Sequence, residues 1–569
     1  VAHAFQPFIL GIDLGTGSLK LTAYRAAEFD GGAAGGGSPT NAASSAGVAG
    51  GGAHSSPSGA RGAALGARGS SARAFSAQRA YPILSPTPGI AEADPEAWVA
   101  ALRDAWLDVR AQIVGAGLAP ELESIGVSGQ MHGFVPIGRD GRALHRAITW
   151  ADERGAEFAP MYAAALDGEF GRLLNAPAAG LSALTLLWMK RRAPELYRDT
   201  AKILFPKDYL RYRLTGEIGT DPGDASASLL WDFSAGAWSE RALDALGLDG
   251  DKLPGVLDSF TVAGAVCREG ARDTGLPEGI PVATGSADKA CEIYGSGFFR
   301  EYVERIEAPP APDADWASPR VAQVSIGTGI QVVIPTRSLP PYASGLNLFE
   351  TCVPGLRYRM AAMLNGGLAL EWVRSALRST WTEFYADLES GHVDLPRDLI
   401  FLPYLSGERS PYQNPDARGA WIGLGLHHTR RDLLASALLG VAATIRLGLD
   451  TLGVAPDAHV YCVGGSTRFA PWMRIVSAMT GRALSVSDEP DASVRGAAAI
   501  GLAAARANSR AAHNRSAGGI PAIPEALPTT ALDAPRAVWM DEYYTRFLRY
   551  YEALFSQARS SDARISPSE

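Results

Sequence analysis

Cysteine is scarce in this chain, with four in 569 residues, at 267, 291, 352 and 462. Their spacing matches neither a zinc ligand set nor a dense disulfide framework, which excludes a structural metal module and a small disulfide scaffold. Lysine is scarce beside arginine, accounting for only six of the 52 basic residues. Long apolar runs are missing too: the longest candidate, 435–449, is broken by Arg446 and reads as a buried helix instead of a membrane span. A charged start followed by an apolar stretch is absent at the N-terminus, so no secretory leader is read and a cytoplasmic protein with reduced thiols is expected. There is no positive excess, and a formal net charge of −8 argues against a nucleic-acid binder. The Walker pattern Gly-x-x-x-x-Gly-Lys-Ser/Thr occurs nowhere.

What is present begins at Gly11-Ile12-Asp13-Leu14-Gly15-Thr16-Gly17-Ser18-Leu19-Lys20. An apolar run enters this stretch, and the alternating Leu19, Leu21 and Ala23 leave it, the pattern of two strands joined by a Gly-rich turn. Successive N–H groups in such a turn form an anion cradle, to which Thr16 adds a hydroxyl donor and Lys20 a cation. Asp13, at a strand end, suits a hydrated Mg²⁺ that binds few carboxylates plus phosphate oxygens. The stretch predicts a nucleotide phosphate site.

The length calls for two large domains, expected over 1–262 and 263–505, with a linker and terminal helix over 506–569. Residues 27 to about 75 are rich in Gly, Ala and Ser without apolar period and predict a disordered insertion after the second strand. The stretch 304–320 reads as a surface loop, and 506 to about 535 as a link to an aromatic-rich helix over 540–558. Between these, strand signals at 125–128, 203–205, 280–284, 321–326 and 459–463 alternate with helix signals at 95–109, 182–192 and around 472–479. That alternation predicts an α/β protein with mixed sheets.

Several segments carry chemistry. Ser325-Ile326-Gly327-Thr328-Gly329 repeats the small-residue logic of the first turn, and two such turns would clamp one nucleotide. Gly464, Gly465 and Ser466 follow a strand and precede a helix, a junction where a flat ligand approaches the backbone. The plain alternative is a tight turn capped by Ser466 or Thr467. Gly129-Gln130-Met131-His132-Gly133 ends a strand, where side chains of open α/β sheets face a cleft; core filling is the alternative for Met131 and His132. Trp150-Ala151-Asp152-Glu153-Arg154 offers a polyol an aromatic wall and acceptors, or else holds a surface ion pair between Asp152 and Arg154. Asp288 lies just beyond a strand among small residues. Phosphoryl transfer to an alcohol needs such a base within reach of the hydroxyl, although an acid there also suits a helix cap.

Taken in order, with Pro206-Lys207-Asp208-Tyr209-Leu210 and Phe401-Leu402-Pro403-Tyr404-Leu405-Ser406-Gly407-Glu408-Arg409, these segments resemble the FGGY carbohydrate kinases. Within that family, part of the sugar kinase, heat-shock chaperone and actin superfamily, they look most like the xylulokinase branch. The Gly-Gln-Met-His-Gly and Phe-Leu-Pro-Tyr-Leu-Ser-Gly-Glu-Arg strings are the specific part. The resemblance implies two actin-like (ribonuclease H-like) α/β domains that close over a central cleft. It implies transfer of the ATP γ-phosphate, with Mg²⁺, to a terminal hydroxyl of a ketopentose, D-xylulose in the branch resembled. Asp288 would be the base, and Met131 and His132 would contact the ketose, with Trp150 and Asp152 as neighbours. Asp13 would serve the Mg²⁺–phosphate end beside Thr16 and Lys20. Gly327 and Thr328 would touch the phosphates, and Gly464, Gly465 and Ser466 the adenosine side. The expected partners are the sugar and ATP, without membrane or nucleic acid, and with a homodimer as the candidate assembly. Three positions depart from the family pattern: Lys289 and Ala151 where Asn is usual, and Leu439 where an acid or amide is usual. Lys289 would either lower the proton affinity of Asp288 or pair with Glu292. These departures leave open a family kinase for another ketose or polyol, or a weakly active sugar- or nucleotide-binding regulatory protein.

Overall fold

The computed structural model describes residues 7–29, 74–307, 319–390, 394–487, 491–512, 529–532 and 537–555. The opening strand Phe8–Leu14 is buried along its length, which is why it reads as a near-continuous apolar run. It pairs antiparallel with Ser18–Arg25, and that strand with Ala74–Ala80. On its other side it runs parallel to Leu122–Gly129, which runs parallel to Pro281–Ala283; the antiparallel Val262–Ala265 closes the edge.

The second sheet repeats this plan. Val321–Ile326 pairs antiparallel with Ile330–Thr336, and that strand with Arg357–Met363. Its other side runs parallel to His459–Val463, then Leu484–Ser487, with antiparallel Thr529–Leu532 at the edge. Asn347–Glu350 and Ser286–Ala287 are the additions to the shared order. One strand plan used twice is the two-domain α/β architecture that the sequence predicts.

The division expected near residue 262 falls inside the first sheet. Pro281–Ala283 and Ser286–Ala287 pair into it, covering backbone groups that Leu122–Gly129 would otherwise leave unpaired, and Val262–Ala265 pairs on the far side of Pro281–Ala283. The helix Ala492–Ala512 also lies on the first sheet, although it follows all but the last strand of the second. Glycine makes the contact: a Cβ at Gly126 would lie 1.7 Å from the Ala497 carbonyl oxygen, and one at Gly11 2.2 Å from that of Val494. This helix runs past Arg506, so the expected link starts as helix, and 513–528 lie outside the described residues.

Most of the expected insertion, 30–73, also lies outside the described residues, as do 308–318; Phe298–Glu307 is helical, overlapping the start of the loop expected from residue 304. Arg430–Thr451 is long and apolar enough to cross a membrane, yet most of it is buried in the second core, the place of a core helix. The terminal helix Val538–Phe555 packs on its own chain, with Tyr543, Phe547 and Tyr551 in that core and Tyr551 stacked on Tyr412 at 3.5 Å. All four cysteines are free thiols.

Candidate active site

Strand register assembles the first half of the site. Lys20 faces Asp13 across the hairpin, Asp13 pairs with Ser128 on the parallel neighbour, and Ser128 pairs with Ser286 beyond it. One row across four strands thus brings these groups to one end of the sheet, and Asp288 follows two residues later. Asp13 is buried; its Oδ1 accepts the Ser128 hydroxyl at 3.0 Å and its Oδ2 the Ser493 hydroxyl at 2.8 Å. Burial raises its proton affinity, and the two hydroxyls offset part of that. Lys20 bonds Asp491, so its ammonium ties the hairpin to the approach of the helix Ala492–Ala512. Thr16 Oγ1 accepts the Trp150 indole N–H at 2.8 Å and keeps its own proton for another acceptor.

Asp288 is the first residue of the helix Asp288–Gly295 and does not cap it: the cap is Ala287, with no side-chain bond. Its Oδ1 accepts the Lys289 N–H at 2.6 Å. Burial, then the charge of Asp13, push this carboxyl up to about 7 against the opposing pull of Lys289. The Lys289 ammonium itself donates to Glu292 Oε1 at 2.6 Å and to Ser325 Oγ at 2.9 Å, so the pairing with Glu292 is what the structure holds.

Met131 and His132 stand just past the strand Leu122–Gly129 and meet the second sheet. Met131 Sδ accepts the Tyr358 hydroxyl at 3.9 Å, and the His132 ring lies 5.9 Å from that of Phe349. His132 has a φ of 73°, a left-handed conformation that a non-glycine keeps only when its surroundings over-determine it. Its Nδ1 donates to the Ala227 carbonyl at 2.8 Å. Burial pushes the imidazole down to about 4, with the charge of Arg409 acting in the same direction. The ring is therefore neutral at pH 7 and presents Nε2 as an acceptor.

Asp152 is placed differently from its expected role. It is fully buried, and its oxygens accept Ala91 N–H, Arg154 N–H, Arg154 Nε and Arg154 Nη2 at 2.7–3.0 Å. Arg154 also reaches Glu92 at 2.6 Å. The Asp152–Arg154 pair weighed from the sequence is present, buried instead of on the surface, and those donors occupy both oxygens. Trp150 is the member of that segment that joins the phosphate turn.

In the second half, Gly327 and Thr328 form the exposed turn between Val321–Ile326 and Ile330–Thr336. A Cβ at Gly464, whose φ is 106°, would lie 2.7 Å from the Ile326 carbonyl. Gly465 and Ser466 open a 3-10 turn that leads into the helix Ala470–Thr480, and the Thr467 hydroxyl bonds the Gly464 carbonyl at 2.8 Å in place of capping that helix.

Residues not singled out from the sequence complete this half. The Gly367 N–H donates to the Gly327 carbonyl at 2.9 Å, and a Cβ at Gly367 would stand 3.4 Å from Ser466 Oγ. A Gly-Gly doublet before a helix was the available signal. Glu408, within the quoted Phe401–Arg409 string, accepts the Leu364 and Arg409 N–H groups at 2.8 Å and so pins the loop that leads to that doublet. The Arg409 guanidinium lies 5.8 Å from the centre of the Trp150 ring, solvent-accessible yet surrounded by protein on most sides. Among the described residues no carboxylate bonds it. A cavity of ≈ 740 Å³ opens elsewhere, beside Glu96, Tyr209 and Arg213, and contains none of these groups; its Arg213 is already paired with Glu96 and Asp273.

Comparison with known proteins accounts for this arrangement. Residues 70–295 match the N-terminal domain of the FGGY family of carbohydrate kinases, and 322–505 match its C-terminal domain. The opening hairpin precedes the matched region and joins it through strand pairing. The chain is 29% identical over 403 residues to the xylulose kinase of Escherichia coli K12, covering 70% of this chain and 78% of that one. A crystal structure of a xyloylose kinase from Brucella ovis superposes with a TM-score of 0.74 at 27% identity, covering 97% of this chain and all of that one. Plasmodium falciparum glycerol kinase, solved with ADP, shares the fold at a TM-score of 0.71 and 18% identity, covering 99% of each chain. Matched in order by both domains of the family, the chain belongs to the FGGY family of carbohydrate kinases and is a sugar phosphotransferase.

Proposed function

We propose that this enzyme is an ATP-dependent ketopentose kinase that converts D-xylulose to D-xylulose 5-phosphate, with Asp288 as general base. The observation that carries the assignment is a carboxyl near neutrality at a helix start, set beside Asp13 at the end of the first sheet. A carboxyl of that affinity both accepts and releases a proton at working pH. The names of the relatives, xylulose kinases at 27–29% identity, support the sugar.

Charge and donor placement suggest how the groups divide the work. The two Gly-rich turns would hold the ATP phosphates, with the Thr16 hydroxyl as a donor, and the adenosine side would lie against Gly464–Ser466 and Gly367. Asp13 suits a cation, because a buried carboxylate held by two hydroxyls has lost hydration that a metal restores. Mg²⁺ bound there would neutralise phosphate charge. Neutral His132 would accept a ketose hydroxyl at Nε2, and Met131 would supply an apolar wall. Asp288 would take the proton of the attacking hydroxyl, and Arg409 would face the charge that builds on the transferring group. Closure of the domains would exclude water and suppress wasteful hydrolysis of ATP.

The test is ATP consumption with Mg²⁺ across D-xylulose, L-xylulose, D-ribulose, L-ribulose and common polyols. D-xylulose is expected to give the highest kcat/KM. Asp288→Asn is expected to lower kcat by about 10²–10⁴-fold while nucleotide affinity stays unchanged. Clear preference for another ketose or polyol would reassign the substrate, and tight sugar binding without turnover would make the protein a sensor.

A further inference from the structure

The helix that begins at Asp288 is tied to the second sheet by a bonded cluster for which the proposed reaction has no use. Glu292 Oε1 accepts Lys289 Nζ at 2.6 Å, Ser325 Oγ at 2.5 Å and Gln323 Nε2 at 2.8 Å. Lys289 Nζ also donates to Ser325 Oγ at 2.9 Å, and Ser296 Oγ donates to Gln323 Oε1 at 2.7 Å. Lys289 and Glu292 are three residues apart, so both fall on one face of the helix. Gln323 and Ser325 are two apart on the strand Val321–Ile326, so they too share a face, and that strand runs directly into the turn Gly327–Gly329.

The cluster balances its own charge and leaves Ser325 with its proton donated and an acceptor site filled. Beyond these bonds Lys289 keeps one N–H and Glu292 its Oε2. What it sets is distance, since it joins the first turn of the helix that carries Asp288 to the strand that carries the second phosphate turn. Charge-assisted bonds of this length are the strong kind. A reacting pair displaced by about 1 Å loses on the order of 10²-fold in rate.

We propose that Lys289 and Glu292 are positioning residues for phosphoryl transfer, latching the Asp288 helix onto Ser325 and Gln323 and so fixing the base relative to the Gly327–Gly329 turn. The proposal rests on the reading of Asp288 as the base. It also gives the Lys289 ammonium a mechanical task away from the Asp288 carboxylate.

Steady-state kinetics of Lys289→Met, Glu292→Gln, Ser325→Ala and the Glu292→Gln/Ser325→Ala double variant test it, with thermal melting of the same preparations. Each single variant is expected to lose about tenfold in kcat with both KM values within about threefold, because positioning acts on the transition state. The double variant is expected to lose about tenfold as well, since Glu292 and Ser325 are bonded to each other and both changes act on one network. Losses that multiply to about a hundredfold in the double variant overturn the latch, as do wild-type kcat values in all single variants. Should Lys289→Met fail to fold, the Ser325→Ala cycle, which removes a single oxygen, decides the question. Asp288→Asn run alongside separates the two ideas. Full turnover in that variant removes the base itself, whereas its inactivity beside unaffected latch variants removes only the latch.

Discussion

Two aspartates in this chain show how environment, not residue type, decides chemistry. Asp152 is committed to donors from Ala91 and Arg154 and has no acceptor capacity to offer a sugar. Asp288 has one backbone donor, and burial together with Asp13 pushes it up to about 7. A base works only when deprotonated, so activity is lost below that value and gained above it. kcat/KM is therefore expected to rise between about pH 6 and about pH 8. A flat profile over that interval, measured with saturating ATP, would remove Asp288 from the role. His132, pushed down to about 4, stays neutral throughout the limb and does not contribute to it. Glu408 is also pushed up to about 7 by burial, so Glu408→Gln is the control and should keep the limb in place.

At the level of elements, the contact between the helix Ala492–Ala512 and the first sheet is built from missing side chains. Gly11 and Gly126 on the strands and Gly501 on the helix let backbone meet backbone, and Gly496 does the same against the helix Asp288–Gly295, where its Cβ would stand 1.9 Å from the Cys291 carbonyl. No rotamer change relieves a clash between a Cβ and a carbonyl. Gly126→Ala is thus expected to destabilise the fold by about 3 kcal/mol or more, read as a lower denaturant midpoint at unchanged slope. Gly115→Ala, where nothing lies within 4 Å, is the matched control and should leave the midpoint unchanged or slightly raised. An unaffected midpoint for Gly126→Ala would mean that the helix can stand off the sheet. The same seam puts Ser493 on Asp13 and Asp491 on Lys20, so packing and site geometry share one cause.

For the whole molecule, groups from the two halves meet in pairs matched by chemistry, among them Met131 with Tyr358, His132 with Phe349, and Lys289 with Ser325. The two Gly-rich turns lie one on each sheet, so a nucleotide that spans both would draw the halves together. Hydrogen exchange at the backbone of 15–17 and 327–329 is expected to slow strongly with a non-hydrolysable ATP analogue and sugar together, and less with either alone. Equal protection by the analogue alone would place closure at the nucleotide step and take the sugar out of it.

Local signals reached far in this chain because they depend on neighbours in sequence. The helix Ser182–Arg192 and the strands Val321–Ile326 and His459–Val463 have the ends that their apolar patterns predict. Both Gly-rich turns, the Met131–His132 strand end and the acid at 288 were legible for the same reason, since each is a short string with its own stereochemistry. The partners of those groups were not. Asp13 is bonded to Ser493 from 480 residues away, and Lys20 to Asp491 from 471, and no period in a chain encodes such a meeting. Gly367 against Gly327, and Lys289 against Ser325, likewise arise only when two sheets and one late helix pack. The sequence by itself determined where the Gly-rich turns and the acid beyond a strand lie. Only the tertiary structure decided which of them are available, because burial and competing partners are properties of packing. It left Asp288 near neutrality and tied up Asp152.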